Sequence, residues 1–187
     1  MEDCLHFDFE RFHVLTGGPG SGKTTLIEAL ARRGFATTEE AGRRIIRDQV
    51  SISGAALPWA DRALYAELML SWEMRSHALA AKATGPVFFD RGVPDVAGYL
   101  KLCSLPVPAH VDKAAQTVRY ADTVFLLPPW PEIFDQDTER KQSFEEAERT
   151  WAAMRQTYAR YGYNCVEVPR GTVADRIAFL METLSDG

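Results

Sequence analysis

The stretch VLTGGPGSGKTT, residues 14–25, joins an apolar run to four glycines, a lysine and two threonines. Gly17, Gly22, Lys23 and Thr24 satisfy the spacing G-x-x-x-x-G-K-[ST], the P-loop pattern. The chemistry of that spacing is capture of a polyphosphate. Across Gly17, Gly18, Pro19, Gly20, Ser21 and Gly22, glycine lets the backbone turn so that several N–H groups point inward around an anion. A helix that opens near Gly22 aims its positive end at the same place. Lys23 reaches β- and γ-phosphates, Thr24 offers a hydroxyl to Mg2+, and Thr25 completes the set. The expected ligand is a nucleoside triphosphate.

A second group begins at PVFFDRG, residues 86–92, an apolar run that ends at Asp90. Ligands of open parallel sheets bind outside the carboxyl ends of the strands, which would set Asp90 beside the P-loop as a Mg2+ carboxylate. A solvated strand-end aspartate is the plainer alternative. The following residue is Arg91, where hydrolytic motors usually place a water-activating glutamate. A base there suits phosphate binding or stabilisation of transition-state charge. Asp95 either caps the next helix or touches an acceptor.

In TTEEAGRRIIRD, residues 37–48, Glu40, Arg43, Arg44 and Arg47 share one face of a helix. Glu40 is a candidate base for an acceptor hydroxyl, and Arg43 or Arg44 a candidate anchor for an anionic part of it. A salt-bridged surface is the competing account. Residues 130–142 are polar, acidic and flanked by proline, the best candidate for a lid, with Arg140 and Lys141 as bases that close over a transferring phosphoryl group. In VPRGTVADR, residues 168–176, Arg170 is placed to stack on a nucleotide base and Thr172 to cap the last helix.

These groups need a scaffold that brings strand ends together. Strands are expected at 12–17, 35–40 (a short strand and its exit), 86–90, 122–129 and 164–169. Helices are expected at 23–34, 40–50, 60–82, 94–102, 111–120, 143–161 and 173–184. In the long helix, Leu64, Leu68, Trp72 and Leu79 read as the packed face. Strands that are apolar on both faces and alternate with helices predict an α/β fold, a three-layer α/β/α sandwich on a five-stranded parallel sheet. The 187 residues fit one domain, with no repeat or linker.

A net charge of −5 argues against broad nucleic-acid or membrane-surface binding. Cys4, Cys103 and Cys165 are too few and too scattered for a disulfide framework or a zinc site. The acidic N-terminal stretch does not read as a signal peptide, and no apolar run has the length of a membrane span, so a cytoplasmic protein is expected. His6, His13, His77 and His110 show no metal-ligand spacing.

The segments VLTGGPGSGKTTL, TTEEAGRRI, FFDRGVPDVAGYL and the run from Glu139 to Pro169 together resemble a family of small P-loop proteins described as AAA-domain ATPases or predicted kinases. That family is similar to the ribosylnicotinamide-kinase module and, more remotely, to nucleoside and nucleotide kinases. The resemblance runs from about residue 10 to 184. It implies a nucleotide-kinase-like fold and ATP with Mg2+ as phosphoryl donor. It also implies Walker A roles for Gly17, Gly22, Lys23 and Thr24, a Walker B role for Asp90, and a glutamate–arginine segment at Glu40 and Arg43. The leading expectation is a small-molecule kinase with a nucleoside-like acceptor. The alternatives are an ATPase that switches a protein partner, and a nucleotide sensor. The absence of an N/T-K-x-D guanine signature favours adenine. Acceptor identity, oligomeric state and whether Glu40 or Asp90 is the base are left open.

Overall fold

A computed structural model of the chain describes residues 9–134 and 143–185. Five parallel strands form one sheet in the order β2-β3-β1-β4-β5. They are β1 (Phe12–Gly17), β2 (Ala36–Thr37), β3 (Val87–Asp90), β4 (Thr123–Leu127) and β5 (Asn164–Glu167). The helices are α1 (Lys23–Arg32), α2 (Ala41–Ser51), α3 (Arg62–Ala80), α4 (Val93–Leu102), α5 (Ala109–Thr117), α6 (Pro131–Phe134), α7 (Phe144–Arg160) and α8 (Val173–Ser185). The α/β class and strand count agree with the sequence expectation.

The central strands are largely apolar because both faces are covered, whereas β5 is partly exposed. Leu15, Phe88, Phe125 and Leu127 pack with Leu26 and Leu30 of α1 and with Ile177 and Leu180 of α8. Their neighbours Phe12, Val14, Val87, Phe89 and Val124 point the other way, onto Tyr120 and Tyr158. This alternation within continuously apolar strands is the pattern of a sheet between two helical layers. A third cluster joins α3, α4 and α5 through Ala66, Leu70, Val96, Leu100 and Val111.

Local signals set several boundaries. Ser143 and Glu146 form a reciprocal capping box that starts α7, with Ser143 N–H to Glu146 at 2.8 Å and Glu146 N–H to Ser143 Oγ at 3.2 Å. Thr172 and Asp175 do the same for α8, as the sequence led one to expect of Thr172. One expected face is corrected in part: Leu68 and Trp72 pack against Ala41, Ile45 and Tyr65 as expected, but Leu64 and Leu79 do not. On α3, Leu64 and Leu79 are 43% and 51% exposed, while Tyr65, Ala66, Leu70, Glu73 and Ala80 are buried. Apolar residues surround most of this helix, so periodicity alone could not choose a side; packing against α2 and α4 chose it. Helix α5 ends before Tyr120, whose ring the core claims and whose hydroxyl accepts a hydrogen bond from Val93 N–H at 3.2 Å.

Register brings the strand ends together. Leu15 lies opposite Asp90, and Gly17 opposite Leu127. The loop after β1 therefore opens between the ends of β3 and β4. Among the described residues no helix is long and apolar enough to cross a membrane. Cys103 and Cys165 are free thiols.

Candidate nucleotide and acceptor site

The glycines of the loop are required by space and by backbone. A Cβ on Gly17 would stand 2.3 Å from the carbonyl oxygen of Leu127. Gly22 has φ 73°, left-handed, and is the N-cap from which α1 turns. Just inside that helix, Lys23 is 6% exposed, and its Nζ is ion-paired with the Asp90 carboxylate. The pair ties the first turn of α1 to the end of β3. Asp90 also donates its backbone N–H to Thr38 Oγ1 at 3.0 Å, which fixes the strand end against the exit of β2. The sequence expectation that Asp90 lies beside the loop is met in this geometry. Thr24 and Thr25 are exposed and line a cavity of about 520 Å³ together with the loop.

Arg91 adopts φ 73°, a left-handed backbone that costs a non-glycine residue about 1–2 kcal/mol. Several bonds hold it there. Its N–H donates to Leu15 O at 3.0 Å. Its guanidinium reaches Glu40 at 3.4 Å, Gly17 O at 3.2 Å and Asp95 at 3.2 Å. Burial alone would lower its pKa, but the carboxylates of Glu40, Asp95 and Asp90 outweigh burial and raise it, so the group stays cationic.

Asp95 caps α4 by accepting from Gly92 N–H at 3.1 Å. It also accepts from Thr16 Oγ1 at 2.5 Å and from Tyr158 Oη at 2.6 Å. A single buried carboxylate thus joins β1, α4 and α7, and it faces a second cavity as well. Glu40 is the N-cap residue of α2 and pairs with Arg43 at 3.2 Å and with Arg91. Arg44 turns outward to Asp48 at 3.1 Å, and Arg47 is exposed. Of the four charged residues read as one face, Glu40 and Arg43 join the site.

Arg170 is exposed and donates to Pro129 O at 2.8 Å; it does not line the cavity beside the loop. That place is taken by Arg176, which sequence reasoning missed. Arg176 is 4% exposed, donates to Ser21 O at 3.1 Å and lies 5.9 Å from the Trp130 ring centre. Its Nε has no hydrogen-bond partner among the described residues, and burial lowers its pKa. The one available signal was its spacing, four residues beyond Thr172, which turns it back under the loop. Trp130 and Ile133, at the start of the expected lid, line the same cavity. Arg140 and Lys141 lie outside the described residues.

The second cavity, about 800 Å³, lies between α2, α3, α4 and α7. Glu73, also missed from sequence, is part of its wall and is 3% exposed. Burial, then Asp95 and Asp90, raise the Glu73 pKa well above the usual carboxylate range. The two cavities share Pro19, Glu40 and Arg91.

A P-loop between the ends of β3 and β4 agrees with what family comparison finds: the AAA domain family matches residues 12–176. The chain belongs to the AAA domain family. No curated protein sequence matches it. Among solved structures, this AAA domain is similar to NadR in complex with NR, with TM-score 0.69 and 19% identity over 96% of this chain. It spans about half of that protein, 52% of the NadR chain. Deoxyadenosine kinase from M. mycoides, solved with dCMP and dCDP, matches with TM-score 0.64 and 16% identity over 94% of this chain and 100% of the kinase. Thymidylate kinase from Ehrlichia chaffeensis matches with TM-score 0.64 and 14% identity over 94% and 98%. At these identities the likeness establishes a P-loop kinase fold for this AAA domain.

Proposed function

We propose that this AAA domain, working as a single unit, is an ATP- and Mg2+-dependent phosphotransferase acting on a small-molecule acceptor. One observation carries the reading: a cavity on the P-loop and a larger one behind it meet at a shared wall of Pro19, Glu40 and Arg91. A hydrolase needs room for water at that point, whereas a kinase needs room for a second substrate.

In this reading the loop residues Gly17 to Gly22 hold the phosphates through backbone N–H groups. Lys23 turns from Asp90 toward the transferring phosphoryl group. The donor set of Thr24 hydroxyl and Asp90 carboxylate is hard oxygen, which fits Mg2+, and the ion would neutralise charge on the phosphates. Arg91, kept cationic by Glu40 and Asp95, steadies negative charge at the wall between the two substrates. Glu40 accepts the proton of the acceptor hydroxyl, and Arg43 and Asp95 orient the acceptor. Arg140 supplies a further positive charge to the phosphoryl group. Trp130 and Arg176 border the base, and Arg170 braces the adjoining turn through Pro129.

The test is ATP consumption with Mg2+, alone and with pooled nucleosides, sugars and cofactor precursors. Turnover that rises with one pool supports the reading. Brisk turnover that no pool changes overturns it in favour of an ATPase that switches a protein partner. That second reading draws on Val50, Ile52 and Trp59, which are 57%, 71% and 66% exposed around the α2–α3 connection.

A further inference from the structure

We propose that Glu73 is the specificity-determining residue of the acceptor cavity, taking a hydrogen bond from an N–H group on the flat, uncharged or cationic ring of the acceptor. This rests on the phosphotransferase reading above.

Glu73 lies within α3, far from the P-loop in sequence. It is 3% exposed and lines the larger cavity, yet no hydrogen bond joins its carboxyl to any described residue. A buried carboxyl without a partner costs stability, and a leucine on the same turn of α3 would avoid that cost. The cavity in front of it is where a partner can arrive. The charged groups around it are Asp95, Asp90, Glu40 and Arg91. Arg91 is already committed to Glu40 and Asp95, and Lys23 to Asp90. The deep end of the cavity is therefore acidic and needs donors. An anionic ring edge would meet carboxylates at that end, so an uncharged or cationic ring edge fits there, while Arg62 and Arg149 line the cavity as well.

The walls indicate a ring. Tyr65 and Tyr99 stand edge to face at 5.4 Å, Met69 and Met154 add flexible apolar surface, and Trp59 is at the exposed mouth. Aromatic and thioether walls around one polar group are the usual construction for a planar ligand read at one edge.

The experiment uses the full chain with Mg2+ and ATP. The probes are adenosine, cytidine, a carboxamide-bearing pyridinium riboside, their 5′-monophosphates, and N,N-dimethylated adenosine and cytidine, which lack the amino N–H. Product is read by mass and ADP by coupled assay. At least one probe is expected to gain a phosphoryl group. Loss of the N–H, or Glu73→Leu, is expected to raise KM about ten-fold or more, with kcat falling far less. Glu73→Gln, which keeps a carbonyl acceptor, is expected to recover part of the loss. Both variants are expected to hold or raise the melting temperature, which a structural role for Glu73 would not allow. Indifference to the N–H, or an unchanged KM in Glu73→Leu, overturns the assignment and leaves the phosphotransferase reading standing. No transfer to any probe or pooled library overturns both.

Discussion

Lys23 and Asp90 are each buried and each is the other's ionic partner, so a change at one is felt at the other. Lys23→Ala is expected to reduce turnover by at least about a hundred-fold, since it removes a cation aimed at developing charge. It also strands a buried carboxylate, at a cost of about 3 kcal/mol that urea denaturation would register. The double variant with Asp90→Asn is expected to regain most of that stability and none of the activity, which separates folding from chemistry. Glu40→Gln is expected to lower kcat by about 10² or more with little change in KM for ATP, measured under steady state. The P-loop residues were legible in sequence because one short, contiguous loop makes that site. Arg176 and Glu73 were not, because each meets the site only through the packing of a distant helix.

At the scale of elements, the site depends on how α4 and α7 sit over the sheet. Tyr158 of α7 is fully buried, and its hydroxyl bonds to Asp95 of α4 at 2.6 Å. Tyr158→Phe is expected to cost about 1–3 kcal/mol in urea unfolding, because the buried Asp95 carboxylate loses a donor. Since Asp95 also holds Arg91, acceptor KM is expected to rise in the same variant. Strand and helix positions were readable from periodicity, turn residues and caps. The inward face of α3 was not: with apolar side chains on most sides, only contact with α2 and α4 could select Tyr65, Ala66 and Leu70 over Leu64 and Leu79.

For the whole molecule, two buried titratable groups bend stability against pH in opposite senses. Burial lowers the His13 pKa from 6.5 to about 4. The unfolded chain therefore binds the extra proton, and this contribution to stability is full above pH 6.5 and lost as pH falls toward 4. Glu73, raised by burial and by Asp95 and Asp90, works the other way. Its contribution is full below its ordinary 4.5 and is lost as pH climbs through the raised value. Urea midpoints across that range are expected to fall less steeply on the acid side in His13→Leu, and less steeply on the alkaline side in Glu73→Leu. The sequence by itself determined the order of strands and helices, the phosphate loop and the carboxylate at the end of β3, because those follow from local spacing and from the rule that parallel strands end together. Only the tertiary structure decided that Arg91 is clamped between Glu40 and Asp95, that Arg176 and not Arg170 lines the cavity beside the loop, and that a Glu73 without a hydrogen-bond partner among the described residues borders the second cavity. These are distances between residues far apart in the chain, and burial and close packing fix such distances, not periodicity.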